Sequence, residues 1–194
     1  MESSWIQLTN PASEPLTLAL AKVHLAIGHT DDDALITKDI KAARILAEKH
    51  TNRIFGSRSF LVQYTCWPKN GCIHLPIEPA TAITQMRYKD TDGVTQIVAS
   101  SNYKTWLNHS PPLLKMVTGY TFPTFSIDEP APLEIEFVAG ESTTEELEML
   151  CKAIELTLEY WRQFPGGEES LPHLARGLPS GAIRLLDNLW TGAL

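Results

Sequence analysis

The spacing of apolar residues changes twice along the 194-residue chain, from a helical repeat to strand-like alternation and back to a helical repeat. After Asp33 the apolar positions recur every three or four residues, as on one face of an α-helix. The positions on this face are Ile36, Ile40, Ala43, Ala47 and His50. A shorter helix, capped by Thr17, is predicted between Pro15 and Gly28. Residues 1–56 are therefore predicted to supply the N-terminal helices of a helical core.

Residues 57–140 have the two-residue alternation that is typical of β-strands. Leu133, Ile135 and Phe137 alternate with Glu134 and Glu136, which predicts a strand with one face towards water. Further strands are predicted at 60–66, 72–75, 83–88, 94–98, 103–107 and 113–120, with a glycine-containing hairpin turn at 90–93. We expect these strands to form an antiparallel meander.

A long amphipathic helix is predicted within residues 141–165. Its start has a capping-box sequence, which either Ser142 with Glu145 or Thr143 with Glu146 can form. The apolar stripe that follows consists of Leu147, Leu150, Cys151, Ile154, Leu158 and Trp161. This helix is predicted to pack with the N-terminal helices.

Residues 166–194 are predicted to be a C-terminal extension that ends in a short helix. Prolines and glycines are frequent up to residue 180, and apolar residues then return. These residues are Ile183, Leu185, Leu186, Leu189 and Trp190. They could anchor a partner or fold back onto their own domain, and the sequence leaves both alternatives open. The complete prediction is an α+β fold with a helical core, an inserted antiparallel β subdomain and an extended C-terminal arm.

Composition and charge narrow the classes of function. With 43% hydrophobic residues the chain can bury a substantial core. It has no apolar run that could cross a bilayer and no basic, apolar start of a signal peptide, so synthesis in the cytoplasm is expected. The formal charge of −7 argues against tight general binding of nucleic acid, but it leaves room for a channel through which DNA passes.

Residues with catalytic or metal-binding chemistry are few. Cys66, Cys72 and His74 could suggest a metal site, but no fourth ligand is evident. Cys151 lies on an apolar helix stripe, which favours a packed thiol over a nucleophile. The acidic run 31–33 suits a helix N-terminus better than a cation site. We therefore expect no cofactor, no metal and no enzymatic activity.

Lys38, Lys41 and Arg44 are spaced three residues apart and could form a basic patch facing DNA. A solvated helix face is the alternative. A DNA-contacting binding module is thus kept as a second hypothesis, which salt-dependent DNA binding by the isolated protein would favour.

Several short sequence motifs occur in an order that resembles a known family. They are 14-EPLTLALAKVHL-25, 31-DDDALI-36, 42-AAR-44 through 51-TNR-53, Leu75-Pro76 with Pro79, Asp92-Gly93, 137-FVAG-140, Tyr160-Trp161 and 178-LPSGAIRLL-186. In this order the chain resembles the head-tail connectors, or head-completion adaptors, of tailed bacteriophages. The long β-rich segment distinguishes it from the smallest members of that family.

The resemblance implies a structural virion protein at the neck, the junction of head and tail. Such adaptors form a homo-oligomeric ring on the portal, expected to be a dodecamer, extend the DNA channel and offer a docking surface to a stopper or tail-completion protein. DNA would pass through without sequence-specific binding, and no membrane is involved. By analogy with the family's portal-contacting C-terminal extension, the candidate portal-binding residues are Leu178, Ile183, Leu186, Leu189 and Trp190. Another neck or tail-completion protein of similar size is the remaining alternative.

Overall fold

A computed structural model of the chain describes residues 3–125, 128–140, 142–164 and 177–189. These residues have an α+β fold and form two compact units. The sheet unit comprises described residues 3–12 and 57–140. The helical unit comprises Ser13–Gly56 and described residues 142–164 and 177–189.

The helical unit is built from α1 (Leu18–His24), α2 (Asp33–Thr51), α3 (Thr144–Gln163) and α4 (Ser180–Asp187). The predicted cap of α1 is present, because the backbone N–H of Leu20 donates to the Thr17 hydroxyl at 3.3 Å. Of the two capping boxes that the sequence allowed, α3 uses Thr143 with Glu146. Its two hydrogen bonds are 3.3 and 2.9 Å long.

The helices bury the apolar faces that their periodicity predicts. Ile36, Ile40 and Ala43 of α2 pack into one core with Leu150 and Ile154 of α3. No helix of the described residues is long and apolar enough to cross a membrane.

The described part of the sheet unit contains two antiparallel sheets. The main sheet has the strand order β1-β2-β8-β4-β5, and the small sheet has the order β3-β7-β6. The strands are β1 (Ser3–Gln7), β2 (Arg58–Tyr64), β3 (Cys72–His74), β4 (Ala80–Lys89), β5 (Thr95–Ile97), β6 (Tyr103–Trp106), β7 (Leu113–Met116) and β8 (Leu133–Ala139). The predicted hairpin turn joins β4 to β5, with Gly93 at a φ of 76° that favours glycine.

The predicted meander is wrong. β8, the last strand in sequence, lies between β2 and β4 and pairs with both. Phe137 of β8 aligns with Phe60 on one side and Ile83 on the other, and the two phenylalanine rings are 5.9 Å apart. Alternation indicates which face a strand buries but carries no information on its partner, so β8 could be placed only by tertiary contacts.

Residues 1–56 were predicted to supply the N-terminal helices of the core, and within this range Ser3–Gln7 is instead a strand of the main sheet. All of its residues are exposed, so the segment lacks the buried alternation by which strands are recognised. Its pairing with β2 aligns Trp5 with Val62.

Candidate functional site

The C-terminal helix α4 packs within the helical unit. Its Leu186 is fully buried, and Leu189, just beyond the helix, is 3% exposed. Leu178 is half-buried against the same core. Leu186 and Leu189 are therefore core residues of the free chain. Of the two alternatives that the sequence left open, these residues fold back onto their own domain.

Polar contacts fix the same helix. Nε2 of His50 in α2 lies 2.8 Å from an Asp187 carboxylate oxygen, and the Trp161 indole N–H of α3 donates to the Gly177 carbonyl at 3.1 Å. The surface that α4 leaves exposed is polar and includes Arg184 and Asn188. Of the other candidate portal-binding residues, Ile183 is half-buried and Trp190 lies outside the described residues.

The predicted basic patch on α2 is smaller than the spacing suggested. Lys38 and Lys41 are exposed, but Arg44 is buried, with 2% of its side chain accessible. Its guanidinium contacts Glu14 at 2.6 Å and Glu48 at 2.9 Å. Arg44 therefore cannot face a DNA channel, and its assignment to the patch is corrected.

Arg44 stays charged in the interior because it is paired. Burial alone would lower its pKa, but the hydrogen bonds and charges of Glu14 and Glu48 raise the pKa above its ordinary value. Glu48 in turn accepts the backbone N–H of Phe55 at 3.2 Å. The cluster thus joins the segment before α1, the helix α2 and the chain that follows it.

The thiol residues do not form a recognisable chemical site. Cys66 and His74 are exposed and line an open cavity of about 770 Å³ together with the half-buried Cys72. In the part of the chain that the structure describes, no three His, Cys, Asp or Glu side chains are grouped so that they could hold a metal ion.

Cys151 is half-buried on α3, and its thiol lies 3.3 Å from the Pro15 carbonyl. Burial raises the pKa of this thiol, and the charges of Glu155 and Glu148 raise it further. A raised pKa disfavours the thiolate that nucleophilic chemistry requires.

A cluster of aromatic side chains in the sheet unit was not predicted. Trp67 stacks on Phe125 with ring centres 5.1 Å apart and also contacts Tyr88, Tyr120 and Phe122. Its indole N–H donates to the Pro123 carbonyl at 2.9 Å, which ties the segment after β7 to the start of the β2–β3 connection. The close spacing of aromatics from 120 to 125 was the available signal.

The sequence also did not predict the exposed apolar side chains at the two outer edges of the main sheet. Trp5 and Ile6 lie on β1 at one edge, and Ile97 lies on β5 at the other. The helical unit also exposes two apolar side chains of α1, Leu20 and Val23. These surfaces suit contacts with other proteins better than small-molecule chemistry.

No protein-family model and no curated protein matches the chain. Solved structures with the same fold come from gene transfer agent (GTA) particles. The chain is 22% identical to a protein in the neck of an empty GTA particle computed with C6 symmetry, with a TM-score of 0.77 over 98% of this chain and 97% of that one.

Two further structures agree. A protein in the neck of the native GTA particle, computed with C12 symmetry, is 22% identical over 98% and 97% of the two chains, with a TM-score of 0.75. One in the virion of the native particle is 21% identical over 98% and 96%, with a TM-score of 0.71. At these identities the similarity shows a shared fold along nearly the whole chain.

Proposed function

We propose that this protein is a head-to-tail adaptor of a phage-like particle, which forms a ring on the portal, extends the DNA channel and offers a docking surface to the next neck or tail protein. The observation that carries the proposal is the full-length agreement in fold with proteins of particle necks, which includes both units and leaves only a few per cent of either chain unmatched. Fold alone does not determine function, so the particle location and the ring are part of the proposal.

The surfaces of the chain support a structural role. Several of its exposed apolar residues lie on strand edges and helix faces, where they can meet other subunits. The order of family-like motifs along the sequence gives independent support for an adaptor. In this role the protein assembles in the bacterial cytoplasm and remains in the virion, without turnover of a substrate.

The ring is proposed to be a dodecamer of this chain. One of the matched neck structures was computed with C12 symmetry, which supports this stoichiometry. A ring of identical chains needs two different surfaces on each subunit, because each subunit contacts the next in a head-to-tail manner.

For the portal contact we propose the C-terminal segment from Leu178 to Trp190. Because Leu186 and Leu189 fill the core of the helical unit, the contact would use the outward face of α4, which includes Arg184. A complete removal of residues 166–194 would expose that core, so a surface substitution tests the contact more cleanly than a truncation.

For the DNA channel we propose the exposed pair Lys38 and Lys41. The overall charge of −7 disfavours strong retention of DNA, which suits a conduit through which DNA must move. A weak, strongly salt-dependent affinity of the isolated protein for DNA is therefore expected, and the variant Lys38→Glu with Lys41→Glu should abolish it.

The test is to mix the purified protein with DNA-filled, tail-less heads that carry the portal and to image the product by cryo-electron microscopy. We expect a symmetric ring that continues the portal channel directly. A ring that joins only after another neck protein has bound would instead identify a stopper or tail-completion protein. Absence of any association would refute the proposed function.

A matched pair of variants tests the portal-facing surface. Arg184→Glu on the outer face of α4 should weaken the association with heads, whereas Arg162→Glu, an equal charge change at an exposed position of α3, should not. Equal behaviour of the two variants would contradict the proposed contact.

A further inference from the structure

The outer strands of the main sheet lack the charged residues and prolines that often protect solvent-facing edges, although β5 is only three residues long. β1 has the sequence Ser-Ser-Trp-Ile-Gln and β5 the sequence Thr-Gln-Ile, so neither contains a charged residue or a proline. All their residues are exposed, and among the described residues neither outer edge pairs with another strand. Edges of monomeric proteins are usually shielded by charges, prolines, bulges or very short strands, because unpaired N–H and C=O groups otherwise recruit another strand.

Both edges also expose large apolar side chains. Trp5 and Ile6 of β1 are 51% and 53% accessible. Ile97 of β5 and Val94 just before it are 66% and 54% accessible. Such exposure costs solubility in an isolated chain and is typical of a surface that another protein covers.

The register places the two isoleucines on the same face of the sheet. Ile6 aligns, through β2, with Glu136 of β8. Ile97 aligns, through β4, with Glu134 of the same strand. Because Glu134 and Glu136 are two residues apart, they share a face, and Ile6 and Ile97 therefore share it as well.

The two edge strands run in the same direction. Each neighbouring pair in the order β1-β2-β8-β4-β5 is antiparallel, so the fifth strand has the direction of the first. A twelvefold ring rotates each copy by only about 30° relative to the next, which preserves strand direction and sheet face. A contact between β5 of one copy and β1 of the next would therefore be parallel, with the two isoleucines on one side.

We propose that β5 of one subunit pairs in parallel with β1 of the next, so that the main sheets continue from subunit to subunit around the ring. This inference rests on the proposed function, since it assigns the two surfaces that the ring requires. A second copy is the occupant because the edges complement each other in direction, in face and in their lack of charge. A contact of β1 with another β1 would leave every β5 edge open.

Charge substitutions test the contact in the full-length protein. Ile97→Glu and Ile6→Lys should each raise the protein concentration needed for half-complete rings on portal-bearing heads by about tenfold or more, because each places an unpaired charge in the joint. The chain with both changes should recover most of the affinity, since the new carboxylate at position 97 then faces the new amine at position 6 of the next copy.

Thr84→Glu is the control, because it adds a charge at an exposed position of β4, an inner strand of the main sheet. It should assemble like the unmodified chain. Circular dichroism should show that all variants are folded, since the changed side chains are exposed. Unchanged assembly of the single variants, failure of the combined variant to recover, or an equal defect in the control would overturn the inference.

A crosslinking experiment separates this inference from the proposed function, because it needs no portal. Ile6→Cys and Ile97→Cys are combined with Cys66→Ser, which removes the exposed native thiol. Mild oxidation of the concentrated protein should give a ladder of oligomers, with mass spectrometry finding disulfides between positions 6 and 97. The edge contact would be refuted if no ladder formed, or if the disulfides joined only position 6 to position 6 or position 97 to position 97. A ladder with disulfides between positions 6 and 97, in a protein that does not bind to heads, would refute only the portal role.

Discussion

Replacing Arg44 by alanine should destabilise the helical unit more than any other change to a charged residue of α2. The Arg44 side chain is 2% accessible, and its guanidinium connects two carboxylates, those of Glu14 and Glu48. After its removal the Glu48 carboxylate, which is 8% exposed, loses its 2.9 Å contact with the guanidinium and keeps the hydrogen bond from the N–H of Phe55. Glu14, at 27% exposure, can recover part of its hydration.

Removing one partner of a buried ion pair costs about 3–5 kcal/mol, because the remaining charge loses the compensation that the partner supplied. Since Glu14 is partly hydrated, we expect a loss near the lower end, about 3 kcal/mol. For a chain of this size that corresponds to a fall in Tm of roughly 6–12 °C. The helical signal of circular dichroism reports the transition during thermal and guanidinium unfolding.

Two further variants make the reasoning refutable. Lys41→Ala, at an exposed position on the same helix, should change stability by no more than about 0.5 kcal/mol. Arg44→Met combined with Glu48→Gln should recover much of the loss, because the amide still accepts from Phe55 and the carboxylate charge that Arg44 compensated is removed with it. If Arg44→Ala unfolds together with the unmodified protein, the ion cluster contributes nothing net and the reasoning is wrong.

Three other predictions concern α3. Thr143→Ala removes one half of the capping box and should cost about 1 kcal/mol in chemical denaturation, with Thr143→Ser close to the original stability. Burial would raise the pKa of Glu146, but the Thr143 N–H and the Arg53 guanidinium hold it below the ordinary value. The Glu146 carboxylate therefore contributes its full stabilisation at neutral pH. This stabilisation is lost as the pH falls from the ordinary glutamate pKa through the lower pKa of the folded state. In Glu146→Gln, stability measured between these two pKa values should consequently fall less steeply with decreasing pH. Cys151→Ser should lower the free energy of unfolding by about 1 kcal/mol, because a hydroxyl is more costly to bury than a thiol. The loss stays small because the hydroxyl can still donate to the Pro15 carbonyl. An unchanged melting curve would show that the thiol is not packed.

The helices show how far local sequence determines this structure. The Thr17 cap, the stripe on α2 and the capping-box alternatives of α3 depend on residues within a few positions of one another, and the structure contains the Thr17 cap and one of the two boxes. Arg44 is the exception on α2. A charged residue next to an apolar stripe is ordinarily solvated, and the burial of Arg44 depends on the distant Glu14 as well as on Glu48 one turn further along the helix.

The candidate surfaces depended even more on distant contacts. A terminal apolar segment can cover its own core or anchor a partner, and the sequence could not decide between them. Packing against α3 and the contact between His50 and Asp187 hold α4 within the helical unit, together with α2 and α3. The strands β1 and β5 could be identified as candidate contact surfaces only from the strand order, which places them at the two ends of one sheet.

By itself, then, the sequence determined the fold class, the helices, the caps of α1 and α3, and most of the strands. These features follow from periodicity and from hydrogen bonds between near neighbours. Only the tertiary structure decided that β8 lies between β2 and β4, that Arg44 is interior and that, among the described residues, the two uncharged edges of the main sheet pair with no further strand. Each of these outcomes depends on contacts between residues far apart in the chain. The free energy of such contacts comes from mutual burial and pairing, which the local sequence pattern does not reveal.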